Sequence, residues 1–426
     1  MSGGPLLDTK GRVIGISGRQ EGERCSEKID CHLGFALGVP ISTGLGLVTK
    51  AGIKPQWMNI ETSRPPTLTE AEVSSIRNHP SFIAEKPPSD ANEKYWLNYG
   101  NQLWRLERFD EAVAALQQAI KLNPDFYQAY YALGLVLRSQ LKYQKAITTF
   151  KQVTQLNSDY YQAWRELSNT LYLFKKSPEA LVAIDRAIQL NFEQADVDNP
   201  KDFILYLNKG NILSDLKRYT EAEAACTEAI KIKPSELAYN NRGIIYEELK
   251  KYQAAEADYT KAISLTPEYA LAYNNRGNLR AQLKSYQAAE TDFNQAISLN
   301  PEFTDAYYNL GKLRHILKKY QAAEADYTKA ISLNPKHALA YTNRGIVRAQ
   351  LKSYQAAEAD FNQAISLNLE DALAYHNRGI LRAELKKYQA AEADFTQAAQ
   401  LFHKQGNMDA YQQVQQLLSQ LQALSR

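Results

Sequence analysis

The chain has 426 residues, with 50 lysines and arginines against 47 aspartates and glutamates, a net charge of +3. So small an excess gives no overall field for nucleic acid or an anionic membrane surface. No apolar run approaches the roughly 18 residues needed to span a bilayer, and three cysteines exclude a disulfide-dense scaffold. The six histidines are scattered without metal-ligand spacing, so neither a metal nor a cofactor is expected.

The first 55 residues lack helical periodicity. Met1-Ser2-Gly3-Gly4-Pro5-Leu6-Leu7, then Gly11-Arg12-Val13-Ile14-Gly15-Ile16, then Gly34-Phe35-Ala36-Leu37-Gly38-Val39-Pro40-Ile41 are strand-like runs broken by glycine turns. In this order they resemble the carboxyl end of a trypsin-like serine peptidase. SGGP is similar to the nucleophile loop, GRVIGI to the strand after it and GFALGVPI to the last barrel strand. The resemblance places Ser2 at the nucleophile position. It also implies incomplete chemistry, because the family's histidine base and aspartate precede the serine, and only Met1 does so here. The glycine whose amide completes the oxyanion hole is missing, and His32 lies where the family has no base. A serine hydroxyl without its base is a poor nucleophile, and a fragment this short cannot close a barrel.

The expectation is a non-catalytic peptidase remnant, and no enzyme as the sequence stands. The alternative is a truncated gene model, in which Met1 is internal to a longer serine endopeptidase fused to the rest of the chain. As written, with no recognisable secretory signal, a cytoplasmic location is expected; the longer product would fit an extracytoplasmic one. By the same resemblance Cys25 and Cys31 flank a surface loop, and either a disulfide or two free thiols fits. Residues 56–92 carry Pro65-Pro66, Pro80 and Pro87-Pro88 and read as a linker. One short helix is expected over Thr67–Asn78.

Beyond the linker the sequence repeats about every 34 residues, in phase on Gly100, Gly134, Gly210, Gly243, Gly277, Gly311, Gly345 and Gly379, with Ser168 in the third unit. An alanine follows twelve residues after each (for example Ala255, Ala289, Ala323), and a second small residue seven later. Each unit holds two stretches of helical periodicity, such as Ala270–Leu283 and Tyr286–Leu299. The glycine and first alanine predict close approach of the two helices of a pair. The second alanine predicts space for the next unit's first helix. Asn-Pro after the second helix (Asn300-Pro301, Asn334-Pro335) predicts a stop, with asparagine in a left-handed cap. This pattern resembles the tetratricopeptide repeat (TPR) family. The resemblance implies an all-α solenoid, a right-handed superhelix of helix pairs in which no unit buries its apolar face alone.

The expected organisation is therefore a β-rich peptidase-like fragment at 1–55, the linker at 56–92, and nine units. These are 93–126, 127–160, 161–202, 203–235, 236–269, 270–303, 304–337, 338–371 and 372–402, followed by a capping helix within 403–426. Its stripe is Tyr411, Val414, Leu417, Leu418, Leu421 and Leu424. The third unit has about eight extra residues around Glu193–Lys201, expected as a loop. Segments 281–300 and 349–368 differ only at Thr291 against Ala359, so a two-unit block has been duplicated. Cys226 occupies a position otherwise aromatic or apolar, which predicts packing.

Two polar rows run through the units. The sixth position of the first helix is Asn98, Asn208, Asn241, Asn275, Asn309, Asn343 and Asn377. This row resembles the asparagine ladder of the O-linked N-acetylglucosamine transferase superhelix, which implies that it lines the concave face. An asparagine amide both donates and accepts, so it can pair with a peptide group whatever the side chain. The row predicts a track for an extended peptide or protein partner, with Asn208, Asn241, Asn275, Asn309, Asn343 and Asn377 as binding residues; simple hydration with a role in turn-to-turn geometry is the alternative. Neighbouring positions are mostly neutral (Asn240, Asn274, Tyr308, Thr342, His376), which argues against a carboxylate clamp for chaperone tails.

The second row is Arg242, Arg276, Arg344 and Arg378, then Arg280, Arg314, Arg348 and Arg382 four residues on. Aspartates accompany them on the second helix (Asp258, Asp292, Asp360, Asp394), while the seventh unit has Leu310 with Asp326. Arginine and aspartate arriving together predict partly buried ion pairs between helices rather than a nucleic-acid stripe. The Lys-Lys turns are expected to be solvated helix ends.

Overall fold

The computed structural model describes residues 5–7, 13–16, 86–88, 90–195 and 202–424. Ser2, Cys25, Cys31, Thr67–Asn78 and the Asp198-Asn199-Pro200 insertion lie outside them. Two short strands, β1 (Pro5–Leu7) and β2 (Val13–Ile16), pair antiparallel, with Pro5 opposite Ile16 and an irregularity between Leu6 and Leu7. The other described elements are nineteen α-helices, in two compact units divided after Leu216.

The first unit holds α1 (Glu93–Arg105), α2 (Phe109–Leu122), α3 (Tyr127–Ser139), α4 (Tyr143–Leu156), α5 (Tyr161–Leu173), α6 (Ser177–Gln194) and α7 (Phe203–Asp215). Asn92 starts the array as an N-cap, its side chain accepting from the amides of Lys94 and Tyr95. The glycines sit where the second helix of a pair presents its largest side chain. A Cβ on Gly134 would lie 2.6 Å from the Phe150 ring. Ser168 substitutes for glycine by donating its buried hydroxyl to the Ala180 carbonyl at 2.7 Å. Of the residues expected as loop around Glu193–Lys201, Glu193 and Gln194 instead belong to α6, which has 18 residues against 14 in α2 and α4.

The second unit holds α8 (Tyr219–Ile232), α9 (Glu236–Glu248), α10 (Tyr252–Leu265), α11 (Ala270–Gln282), α12 (Tyr286–Leu299), α13 (Thr304–Ile316), α14 (Tyr320–Leu333), α15 (Ala338–Gln350), α16 (Tyr354–Leu367), α17 (Ala372–Glu384), α18 (Tyr388–Lys404) and α19 (Met408–Leu424). The same close approach recurs, with Gly243 on Tyr259, Gly277 on Phe293, Gly311 on Tyr327, Gly345 on Phe361 and Gly379 on Phe395. Cys226 is fully buried, and burial pushes its thiol up to about 12, consistent with packing.

The helix stops differ from expectation. Asn300, Asn334 and Asn368 are extended (φ −136°, −133° and −143°), not left-handed. Their side chains instead accept the amide two residues on, as Asn300 does from Glu302 at 3.1 Å, an Asx turn that substitutes for further helix. The left-handed residue lies between the helices of a pair, at Lys250, Lys284, Lys318, Lys352 and Lys386. There Lys284 donates to the Ala281 carbonyl and Ser285 to that of Arg280. This is the paired bonding that closes a helix end with one αL residue, here lysine instead of glycine.

The terminal helix α19 caps the stack. Asn407 accepts from the Ala410 amide, and Val414, Leu418 and Leu421 are buried against α18 with Tyr411 and Leu417 alongside. Gln422 donates to Glu392, a contact that other units make with arginine or lysine.

The Gly277 contact yields a prediction. A Cβ there would stand 2.8 Å from Cε1 of Phe293, which is held on all sides. Gly277→Ala is expected to lower stability by about 1–3 kcal/mol, measurable by urea denaturation; an unchanged midpoint would show that the ring can retreat.

Candidate peptide groove

The two polar rows have separate places in the second unit. The arginine row lies between helices. Arg276 grips Asp292 with both prongs (Nε to Oδ2 3.0 Å, Nη2 to Oδ1 2.8 Å), and Arg280 adds a third bond at 2.9 Å. The Asp292 side chain is 3% exposed. The arrangement recurs with Asp360 between Arg344 and Arg348, and Asp394 between Arg378 and Arg382. The first arginines also lie over tyrosine rings, as Arg276 does over Tyr273 at 5.6 Å. They are structural ties, as their co-occurrence with aspartate predicts.

A further set of carboxylates, not foreseen from the sequence, extends these ties from repeat to repeat. Arg280 donates to Glu256, Arg314 to Glu290, Arg348 to Glu324 and Arg382 to Glu358, each on the preceding second helix. The Lys-Lys turns join in and are not merely solvated, because Lys251, Lys319 and Lys387 reach Glu223, Glu290 and Glu358. Hydrogen bonds from Lys319, then from Arg314, hold the Glu290 carboxyl below its usual range. The signal was the glutamate recurring in every Tyr-Gln-Ala-Ala-Glu.

The asparagine row lies on the first helices. Asn241, Asn275, Asn309, Asn343 and Asn377 are all half-buried. Asn275 Nδ2 donates to Asn240 Oδ1 at 2.9 Å, Asn309 to Asn274 at 3.0 Å and Asn343 to the Tyr308 hydroxyl at 3.0 Å. Each acceptor is the fifth residue of the preceding first helix. Asn240, Asn274 and Thr342 at that position are 1%, 4% and 2% exposed. They are thus packed between helices and are not groove positions. Thr342 donates to Asp371 at 2.9 Å, and Asn377 turns to its own helix, donating to the Leu373 carbonyl at 2.8 Å. Asn275, Asn309 and Asn343 are therefore held in one orientation. One amide hydrogen of each is spent backwards, and Asn275 Oδ1 also accepts a long bond from Asn274 Nδ2 at 3.5 Å; an amide's second hydrogen and second lone pair can still serve a ligand.

In the first unit Asn98 is exposed on α1, and Asn208 donates to Asn169 at 2.8 Å. The intervening sixth positions are Ala132 and Glu166, both buried, with Glu166 taken by Arg138 and Arg165. The row is continuous in the second unit alone. Among the described residues no cluster of three or more histidine, cysteine, aspartate or glutamate side chains could hold a metal, and no helix is long and apolar enough to cross a membrane.

Models of tetratricopeptide repeats match residues 100–140, 131–195, 203–236, 237–269, 270–303, 304–337 and 338–371, more than half of the chain. Among solved structures, a tetratricopeptide repeat protein from Parabacteroides merdae shares 23% identity over 60% of this chain and 98% of its own, with a TM-score of 0.47. The APC/C hetero-tetramer Cut9–Hcn1 is similar at 13% identity over 80% of each chain, with a TM-score of 0.48. Yeast Tom70 is similar at 15% identity over 78% of this chain and 96% of its own, with a TM-score of 0.43. No curated protein matched the sequence.

The seventh unit differs in its electrostatics. With Leu310 in place of an arginine, Asp326 keeps only Arg314. Burial pushes its carboxyl up to about 6, against the opposing pull of Arg314. The folded value exceeds an unfolded one of about 3.9, so the folded chain binds the extra proton between those limits. Stability from this group must then fall as pH rises from about 4 to about 6. Melting temperatures of the native chain minus those of Asp326→Asn should show that decline; a flat difference would contradict it. At neutral pH Asp292→Ala, which strands two arginines, should cost about 3 kcal/mol.

Proposed function

The chain belongs to the tetratricopeptide repeat family, and on that footing we propose that it is a binding scaffold. Its second unit holds an extended peptide segment of a partner protein along the first helices. The observation that carries this is the row Asn275, Asn309 and Asn343, each fixed by one backward hydrogen bond from its Nδ2. Asn241 and Asn377 extend the track at either end, and Asn208 belongs to the first unit. The mechanism is main-chain recognition, with amide meeting amide, and needs no cofactor. Nucleic acid is a poor candidate ligand because the arginines are engaged by carboxylates.

Alanine at Asn275, Asn309 and Asn343 together should weaken binding of unrelated extended peptides by a similar factor, about twofold to tenfold per residue. Fluorescence anisotropy on the full chain, well below its melting temperature, measures this. Unchanged affinity would remove the ladder from recognition.

A second reading concerns residues 1–55, as a peptidase-like segment without catalytic function. It is favoured by the antiparallel pairing of Pro5–Leu7, which starts at the last residue of the SGGP motif, with Val13–Ile16. A fluorophosphonate probe should leave Ser2 unlabelled in this chain; stoichiometric labelling would contradict it.

A further inference from the structure

The asparagine face carries a second feature, with the same period. Four residues before the asparagine, at the second position of the first helix, stand Leu237, Leu271, Leu339 and Leu373. They are 40%, 39%, 49% and 51% exposed. Residues four apart lie on one helical face, so each leucine flanks an asparagine. Three residues beyond the asparagine the same face carries Ile244, Asn278, Ile346 and Ile380. On α9, α11, α15 and α17 these three positions bear no charge at all. On α13 they carry Asp305 and Lys312, both exposed.

Asparagine bonds join α9 to α11, α11 to α13 and α13 to α15, and Thr342 reaches Asp371 at the start of α17; helices in contact lie about 8–10 Å apart. A chain in the polyproline II conformation advances about 3.1 Å per residue and returns each side chain to one face every third residue. Three residues therefore span one repeat. A β-strand, alternating faces with period two, would present every other contact to the wrong side.

We propose, on the footing of the peptide track above, that the second unit selects an uncharged polyproline-II-like segment of a partner protein with an aliphatic side chain at every third residue. The leucines take the aliphatic side chains while the asparagines hold the main chain. Asp305 interrupts the row and acts as a specificity-determining residue, disfavouring an aliphatic side chain at the central register.

Three capped 15-residue peptides test this against the full chain by anisotropy: five Leu-Pro-Ser triplets, the same composition with leucine spacing scrambled, and five Ala-Pro-Ser triplets. The regular leucine peptide should bind about tenfold tighter than the scrambled one. Leu271→Ser with Leu339→Ser, both at exposed positions, should erase that difference and leave the alanine peptide unaffected. Asp305→Leu should tighten the regular peptide about threefold. Equal, asparagine-dependent binding of all three peptides would overturn the leucine register and keep the track. Binding by none, or binding indifferent to the asparagines, would overturn both.

Discussion

Everything in this fold depends on how closely two helices of a pair can approach. At Gly277 no side chain separates the backbone of α11 from the Phe293 ring. The ring is 1% exposed, and its burial is worth about 2–3 kcal/mol. With the pair drawn together at that point, the alanines at Ala289 and Ala296, both fully buried, determine how neighbouring helices seat against it. Polar groups are then forced to meet. Asp292 is enclosed between helices and is tolerable only because two arginines neutralise it. The arginine that completes this neutralisation also reaches Glu256 one repeat back. Packing within a pair is thereby converted into electrostatic continuity along the second unit.

The asparagine row applies the same economy to its own chemistry. An amide that donates backwards to Asn240 or Asn274 is part of the stacking and is also oriented by it. A flexible surface asparagine would lose side-chain freedom on meeting a ligand. These have lost it already, which preorganises them for the proposed track. The two explanations of the row, geometry between turns and the proposed peptide recognition, are not exclusive, because different valences of one side chain can serve each.

Most of the fold was legible because repetition multiplies weak signals. One glycine facing an aromatic is unremarkable in a sequence; nine units in phase are not. The arginine–aspartate ties were readable because both residues are present or absent together in every unit but the seventh. The glutamates of Tyr-Gln-Ala-Ala-Glu escaped notice because their partners lie on the next repeat's first helix and leave no local signature. Asn300 misled because its side chain, not its backbone, ends the helix, whereas the left-handed position belongs to Lys284, a residue type that carries no such signal. The extension of α6 to Gln194 was hidden by the turn-forming residues just after it. At the groove, the fifth-position residues Asn274 and Thr342 read as surface from their polarity and are buried, because their partners come from other repeats and have no local signature.

The central claim is that Asn275, Asn309 and Asn343 hold a ligand's main chain. Selective ¹⁵N labelling of asparagine in the full chain, titrated with the Ala-Pro-Ser peptide, observes those side-chain amides directly. The account predicts saturable shifts at these three, with Asn294 and Asn362, exposed on the second helices α12 and α16, unchanged. Shifts confined to the second-helix asparagines, or absent from the three at saturation, would contradict it.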